Sequence, residues 1–390
     1  MAEFEPRRAF EHIDKLAYEI GPRLAGTRGG QQAARYIQKQ LESHGYKPEV
    51  QEFSFIPRAV KMRARAISLI AAFAASLLLP PLASLAAFLL AVLLGYALPY
   101  ITPKRLGRNI AAALAPGEPK ARLIIGGHYD SARCAVRPGL NTFVKFAFLP
   151  TIITFLVLSL ARLAWIPPLA WSIAWVCLAP FFLAVCAVLI SASSKRVSPG
   201  ANDNASGVAV MLEAARVAAE SPPSDIGLTF VAFDAEEQGL IGSSEFVKKQ
   251  KSVGKLAMLN LDTVGAGKRA FVVEGNGLFR RRRTTPELNE TLARCCGRAG
   301  LNAKLWWAVL AGHDHIPFLR AKLPATTFTA DAPNKDDFAT AFAKKLGLQN
   351  ARSRGYRYIH TLEDTPDRIE LINIERAGQV VLGFIGGFGK

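Results

Sequence analysis

Apolar residues recur at helical spacing from 8 to 45, broken by the turn-rich segment GPRLAGTRGG at 21–30, and the strand-like stretch VQEFSF follows at 50–55. This pattern predicts two helices and then a strand. The character changes at 66–101, which is almost wholly apolar with Pro80 and Pro81 at its centre. Each leg, of about 15 to 20 residues, would run roughly 22 to 30 Å as a helix against a hydrocarbon core of about 30 Å, so a tilted or re-entrant helical hairpin is expected. Ordinary patterning resumes with GRNIAAALAPG, and the continuous apolar run in ARLIIGGHYD at 121–130 suits a strand buried on both faces. A second apolar segment fills 146–192. Its first leg ends at Arg162, and Trp165, Trp171 and Trp175 surround Pro167 and Pro168, as an interfacial aromatic belt would at a hairpin tip. Its second leg, of about 24 residues, is long enough to span. Neither segment carries the polar stripe of a helix packed on a soluble core.

From Lys195 and Arg196 onward, helix and strand alternate: helix 205–220, strand 228–234, helix 239–250, strands 256–262 and 270–274, helix 286–299, strand 325–329 and a last helix from 366. Such alternation predicts an α/β fold with a mostly parallel mixed sheet flanked by helices, in which ligands collect at the carboxyl ends of the strands. The apolar segments then become insertions. One domain is assembled from 1–65, 102–145 and 193–390, with transmembrane helical hairpins inserted at 66–101 and 146–192.

Composition sharpens this picture. Hydrophobic residues make up 50% of the 390-residue chain, high for an enzyme with 20% charged residues, and the excess is concentrated in the two insertions. The net charge of +17 has no recognition helix, zinc finger or aromatic RNA-binding signature beside it, so no nucleic acid partner is expected. Arg58, Lys61, Arg63, Arg65, Lys104, Arg105, Arg108, Arg133, Arg137, Lys145, Lys195 and Arg196 flank the apolar segments on the domain side, against Arg162 alone near a tip. The positive-inside bias then predicts a multi-pass protein in a lipid bilayer, with its large domain in the cytoplasm. Two further features agree with that side: MAEFEPRRAFEHIDKL lacks the apolar core of a secretory signal, and the five cysteines form no paired framework and are expected to be reduced. Arg280 to Arg283, far from the insertions in sequence, reads as a solvated or lipid-facing patch. No feature specifies an oligomer.

The informative chemistry lies at the predicted strand ends. His128 and Asp130 close LIIGGHYD, Asp203 sits in PGANDNASG, Glu236 and Glu237 end LTFVAFDAEE, Asp262 ends MLNLD, and His360 lies in YIHTLEDT. A single carboxylate after a strand is commonly a helix cap. Several converging on one crevice would repel each other unless cations sat among them. Two zinc ions would supply that charge, since zinc takes imidazole and carboxylate ligands and keeps a position open for water in catalytic sites. With three acids and two histidines, one bridging carboxylate would give each ion three protein ligands. Asp203, on a Gly- and Asn-rich loop, is a natural bridge, although spacing alone does not single it out.

The strings GGHYDS, PGANDNASGVAVMLEAAR, FVAFDAEEQGLIGSSEF, MLNLDTVG and YIHTLEDT resemble, in order, the motifs of the co-catalytic zinc exopeptidases of peptidase clan MH, the group that holds bacterial leucyl aminopeptidase and the glutamate carboxypeptidases. The resemblance covers most of the chain outside the two apolar segments. It implies a three-layer sandwich fold of the phosphorylase/hydrolase kind. It further implies that Asp203 bridges two Zn2+, with His128 and Asp262 on one and Glu237 and His360 on the other. Glu236 falls on the general base, and Asp130 on the carboxylate that orients the His128 imidazole. A cis bond between Asp203 and Asn204 is also implied. GHDHIPF at 312–318 resembles a substrate-side loop, which makes Asp314 and His315 candidate substrate contacts, the alternative being that they only shape the loop. The activity implied is that of an aminopeptidase acting on a peptide substrate. Two rivals are an acyltransferase of the glutaminyl-cyclase type, disfavoured by the complete two-metal ligand set, and a non-catalytic membrane scaffold, which would be free to lose ligands. The chain departs from soluble relatives in the long insertion at 146–192, between the His-x-Asp strand and the Asp203 loop. The membrane is therefore expected near the crevice.

Overall fold

The computed structural model describes residues 3–115, 117, 119–134, 194–250, 255–267, 269–331, 338–352 and 356–388, together with isolated positions between 153 and 187. The chain divides into two compact units, one formed by Met1–Ser54, Leu106–Ala132 and Val197–Lys390 and the other by Phe55–Arg105 and Arg133–Arg196.

The larger unit is built on a mixed sheet. Its strands among the described residues are β1 (Glu49–Phe55), β2 (Arg105–Leu114), β3 (Ala121–His128), β4 (Ile226–Phe233), β5 (Lys255–Leu261), β6 (Arg269–Asn276), β7 (Arg282–Arg283), β8 (Lys304–Ala308) and β9 (Ala325–Asp331). They run in the order β1-β2-β4-β3-β5-β9-β6-β7, with β8 beside β6. The central strands β4, β3, β5 and β9 are mutually parallel, so β3, β4 and β5 deliver their carboxyl ends to one edge. The uninterrupted apolar run of β3 has its expected cause: Leu123 and Ile125 enter the core on one face, while Ile124 enters the core on the other.

Helices cover both faces. On one lie α1 (Pro6–Asp14), α2 (Arg28–Ser43), α5 (Ser206–Glu220), α7 (Pro286–Arg298) and α10 (Leu371–Gly387); on the other lie α6 (Ile241–Lys249) and α8 (His315–Arg320). A further helix, α9 (Phe338–Lys345), precedes the His360 segment. SGVAVMLEAARVAAE is apolar around much of its circumference, and α5 accordingly buries every residue from Ser206 to Ala218 against β3, α1 and α10. The element types match the predicted alternation, but β2, β7, β8, α8 and α9 were not foreseen.

The smaller unit holds α3 (Arg58–Leu78) and α4 (Pro81–Ala97), joined at Pro80, where the proline pair ends one helix and starts the next. Gly95 allows a close approach: a Cβ there would sit 2.9 Å from the Ser68 side chain. Phe73 of α3 stacks on Phe182, with ring centroids 4.5 Å apart. Among the described residues one helix, Pro81–Ile101, is long and apolar enough to cross a membrane, with mean hydropathy 2.1 and only 22% of its apolar window buried. Residues 66–101 thus fall on two helices, of which the second alone meets that standard, so the structure does not show the transmembrane hairpin expected there. The first begins in the basic run Arg58 to Arg65. Most of the hairpin expected at 146–192, including the Trp165 to Trp175 tip, lies outside the described residues.

Candidate metal centre

The strand ends bring the predicted residues together. His128 is the last residue of β3, Glu236 and Glu237 follow β4, Asp262 follows β5, and Asp203 occupies the turn entering α5. His128 Nε2 lies 3.1 Å from Asp203 Oδ1, while His360 Nε2 lies 3.1 Å from Asp203 Oδ2 and 3.0 Å from Glu237 Oε1. Two donor groups result, His128, Asp203 and Asp262 and then Asp203, Glu237 and His360, each with its ligand atoms within 4.8 Å of one another. Asp203 is common to both, each of its oxygens facing a different histidine.

The local backbone is bent to achieve this. The Asp203–Asn204 peptide bond is cis. Ala235, Thr263 and His360 hold positive φ values of 57°, 56° and 56°, a left-handed conformation unfavourable for residues with a Cβ. Strain of this kind persists where the surroundings over-determine it. Here each such residue adjoins a candidate ligand or the candidate base, or is itself a ligand. Asn204 supplies part of the restraint: its amide donates to the Leu261 carbonyl at 2.8 Å and accepts from the Gly207 and Thr263 amides at 3.1 Å. The approach requires glycine at 127 and 207, since a Cβ at either would come within 2.7 Å of the Leu261 carbonyl oxygen.

Two buried acids position the donors through the main chain. The Asp130 carboxylate accepts the amide hydrogens of Glu236 at 3.0 Å and Glu237 at 3.3 Å. His128 Nδ1 is instead 3.0 Å from the Asp130 backbone carbonyl and 3.6 Å from its carboxylate. Asp130 thus stands beside the His128 ring as expected, its carbonyl nearer to Nδ1 than its carboxylate, and the same carboxylate also holds the Glu236–Glu237 turn. Asp364, which the motifs did not single out, accepts the amides of Asn202 at 2.9 Å and Asp203 at 3.1 Å and the Tyr356 hydroxyl at 3.0 Å. Arg23 was also missed. It is fully buried and donates to the carbonyls of Leu16, Gly21, Tyr129, Pro199 and Gly200, stitching GPRLAG to the loops beside His128 and Asp203. Its signal was the Arg set within that turn-rich string.

Of the loop GHDHIPF, Asp314 is buried, and burial raises its carboxyl to about 7. Both ring nitrogens of His315 are engaged, by Thr327 and by Asn276, which fits a residue that shapes the loop rather than one that contacts substrate. His313, not singled out in the sequence, is the histidine of this loop nearest the donors, with Nε2 3.9 Å from Asp262 Oδ2.

The electrostatics fit a cation. Burial pushes the Asp203 carboxyl up, but hydrogen bonds to His128 and His360 and their charge outweigh it and hold it well below the usual range. Burial pushes the His128 and His360 imidazoles down, but Glu236, Asp130 and Asp203 outweigh it at His128 and Glu237 and Asp203 at His360, so both are raised. Glu236 is raised well above its ordinary value, first by burial and then by Glu237, Asp314 and Asp262, with His128 opposing. Three acids and two imidazoles in this arrangement have the chemistry of a zinc donor set, and bound cations would relieve the crowding of negative charge.

A family model described as peptidase family M28 matches residues 188–385. The aminopeptidase YwaD of Bacillus subtilis (strain 168) is 32% identical over 188 residues, covering 47% of this chain and 36% of that protein. A probable leucine aminopeptidase of Trichophyton verrucosum is 28% identical over 200 residues, covering 48% and 46%. The chain thus spans less than half the length of these curated relatives. Among solved structures, a zinc aminopeptidase from Bacillus subtilis superposes with a TM-score of 0.59 at 18% identity, covering 99% of this chain and 95% of that one. Porphyromonas gingivalis glutaminyl cyclase does so with a TM-score of 0.61 at 16% identity and 99% coverage of both. At such identities these likenesses show a shared fold.

Proposed function

The chain belongs to peptidase family M28, and from that premise we propose that it is a membrane-embedded, zinc-dependent aminopeptidase that uses two metal ions. The observation that carries this reading is the pair of donor groups sharing Asp203. His128, Asp203 and Asp262 would hold one zinc, and Asp203, Glu237 and His360 the other. When bound, the ions make a water acidic near neutral pH and polarise the scissile carbonyl. Glu236 is the general base: it accepts the proton of the attacking water and gives it to the leaving amine. Asp130 serves both carboxylates of the DAEE turn, fixing their amides so that Glu237 faces His360 and Glu236 is left for the water. The fold is shared with glutaminyl cyclases, but two complete donor groups support hydrolysis.

The smaller unit supports the membrane part of the proposal. A core helix of a soluble protein would be mostly covered, whereas α4 leaves Leu82, Leu89, Leu90 and Leu93 between 54% and 72% exposed. Apolar surface costs roughly 25 cal/mol per Å² in water, so a lipid environment relieves it. The positive-inside bias supports a cytoplasmic side for the larger unit.

The test is hydrolysis by purified, zinc-loaded protein of paired peptides blocked at one end or the other. Peptides with a free amino terminus should be trimmed and amino-blocked ones spared, and Glu236→Gln should keep its zinc while losing about 10² to 10⁴ in kcat. Trimming of amino-blocked peptides would make it a carboxypeptidase, and wild-type turnover in Glu236→Gln would assign the base elsewhere.

A further inference from the structure

Behind Asp262 lies a buried chain of hydrogen bonds whose direction follows from one end. Asn276 Nδ2 is 2.9 Å from the carbonyl oxygen of Ala311, which can only accept, so the amide nitrogen faces that side and Oδ1 the other. His315 Nε2 lies 2.6 Å from Asn276 Oδ1 and therefore carries a proton. Burial pushes the His315 imidazole down to about 3, so the ring is neutral and Nδ1 accepts from the Thr327 hydroxyl. Asn260 Nδ2 in turn stands 3.3 Å behind Thr327 Oγ1.

At the other end, Asn276 Nδ2 is 3.2 Å from His313 Nδ1. A protonated Nδ1 would set two N–H groups against each other, so Nδ1 accepts and the His313 proton resides on Nε2. That nitrogen faces Asp262 Oδ2 at 3.9 Å. Rotation is blocked: His313 is fully buried, lies parallel to His315 with centroids 5.6 Å apart, and meets the edge of Trp306 at 5.7 Å. Burying five polar side chains only to fill space would be a costly way to pack a core, whereas a connected polar chain specifies one arrangement.

We propose that His313 is a catalytic residue, a neutral imidazole locked with its proton on Nε2, which donates to the scissile carbonyl oxygen on the Asp262 side of the site as negative charge develops there. The proposal rests on the peptidase reading above. A donor fixed before reaction needs no reorganisation, and losing one such donor typically costs about 10²- to 10³-fold in kcat.

The chain has six histidines, few enough for nitrogen-15 histidine labelling to resolve each ring. In zinc-loaded protein the resonance that vanishes in His313→Gln should report a neutral ring protonated at Nε2, and a phosphinic peptide analogue should perturb that nitrogen. His313→Phe should retain zinc and KM while kcat falls about 10²- to 10³-fold, and His313→Gln, which keeps an N–H at similar reach, should recover about tenfold. A wild-type ring protonated at Nδ1, or undiminished kcat in His313→Phe, would overturn the proposal while leaving the peptidase reading intact. If the wild type hydrolyses no peptide, that reading fails and this one with it. Should His313→Phe not fold, the wild-type tautomer and its response to the analogue still decide.

Discussion

His12 illustrates how a single side chain can report on the fold at a distance from the site. It is buried, with Nδ1 2.6 Å from the Tyr36 hydroxyl. Burial above all, with His44 and Arg8 adding to it, lowers its pKa from 6.5 to about 4. Between those values the unfolded chain takes up a proton that the folded chain refuses, so stability is intact above pH 6.5 and is lost as pH falls toward 4. One pKa unit is about 1.4 kcal/mol, which makes the penalty roughly 2 kcal/mol at pH 5. Thermal unfolding from pH 7.5 to 5 should therefore fall more steeply in the wild type than in His12→Phe. Parallel slopes would show that His12 is protonated in the fold. At the residue scale the site itself was largely legible in the sequence, because metal ligands must be particular residue types at strand ends. Arg23, Asp364 and His313 were not. The first two act through backbone amides and carbonyls contributed by distant segments, and His313 acts through a ring orientation set by Asn276, so neither role leaves a spacing to read.

The elements follow the same division. β3, β4 and β5 were recognisable because a strand covered on both faces must be apolar throughout, and α5 because it is buried on nearly every side. The strand β2 escaped notice: from Gly107 on it reads mainly as polar and small residues, and it takes its place by antiparallel pairing with β4. The short strands β7 and β8 likewise depend on pairing with β6, antiparallel for β7 and parallel for β8. Their pairing is tertiary, and local periodicity carries little of it. In α8 the six residues HIPFLR are too few for a helical period to emerge.

For the whole molecule, the proposal joins a peptidase domain to two apolar insertions, one between β1 and β2 and one after the His128–Asp130 strand end. The larger unit is assembled from three stretches of chain, so under the membrane proposal each insertion would return to the side of the bilayer it left. In a background without native cysteines, a cysteine at Pro168 should react with an impermeant reagent on intact cells, and one at Glu3 should not. The opposite pattern would put the active site on the outer face. The central claim, two ions sharing Asp203, is tested most directly by titrating zinc into chelator-stripped protein while following hydrolysis of an unblocked peptide. Activity should rise to a plateau at two equivalents per chain. A plateau at one equivalent, or activity indifferent to zinc, would contradict it.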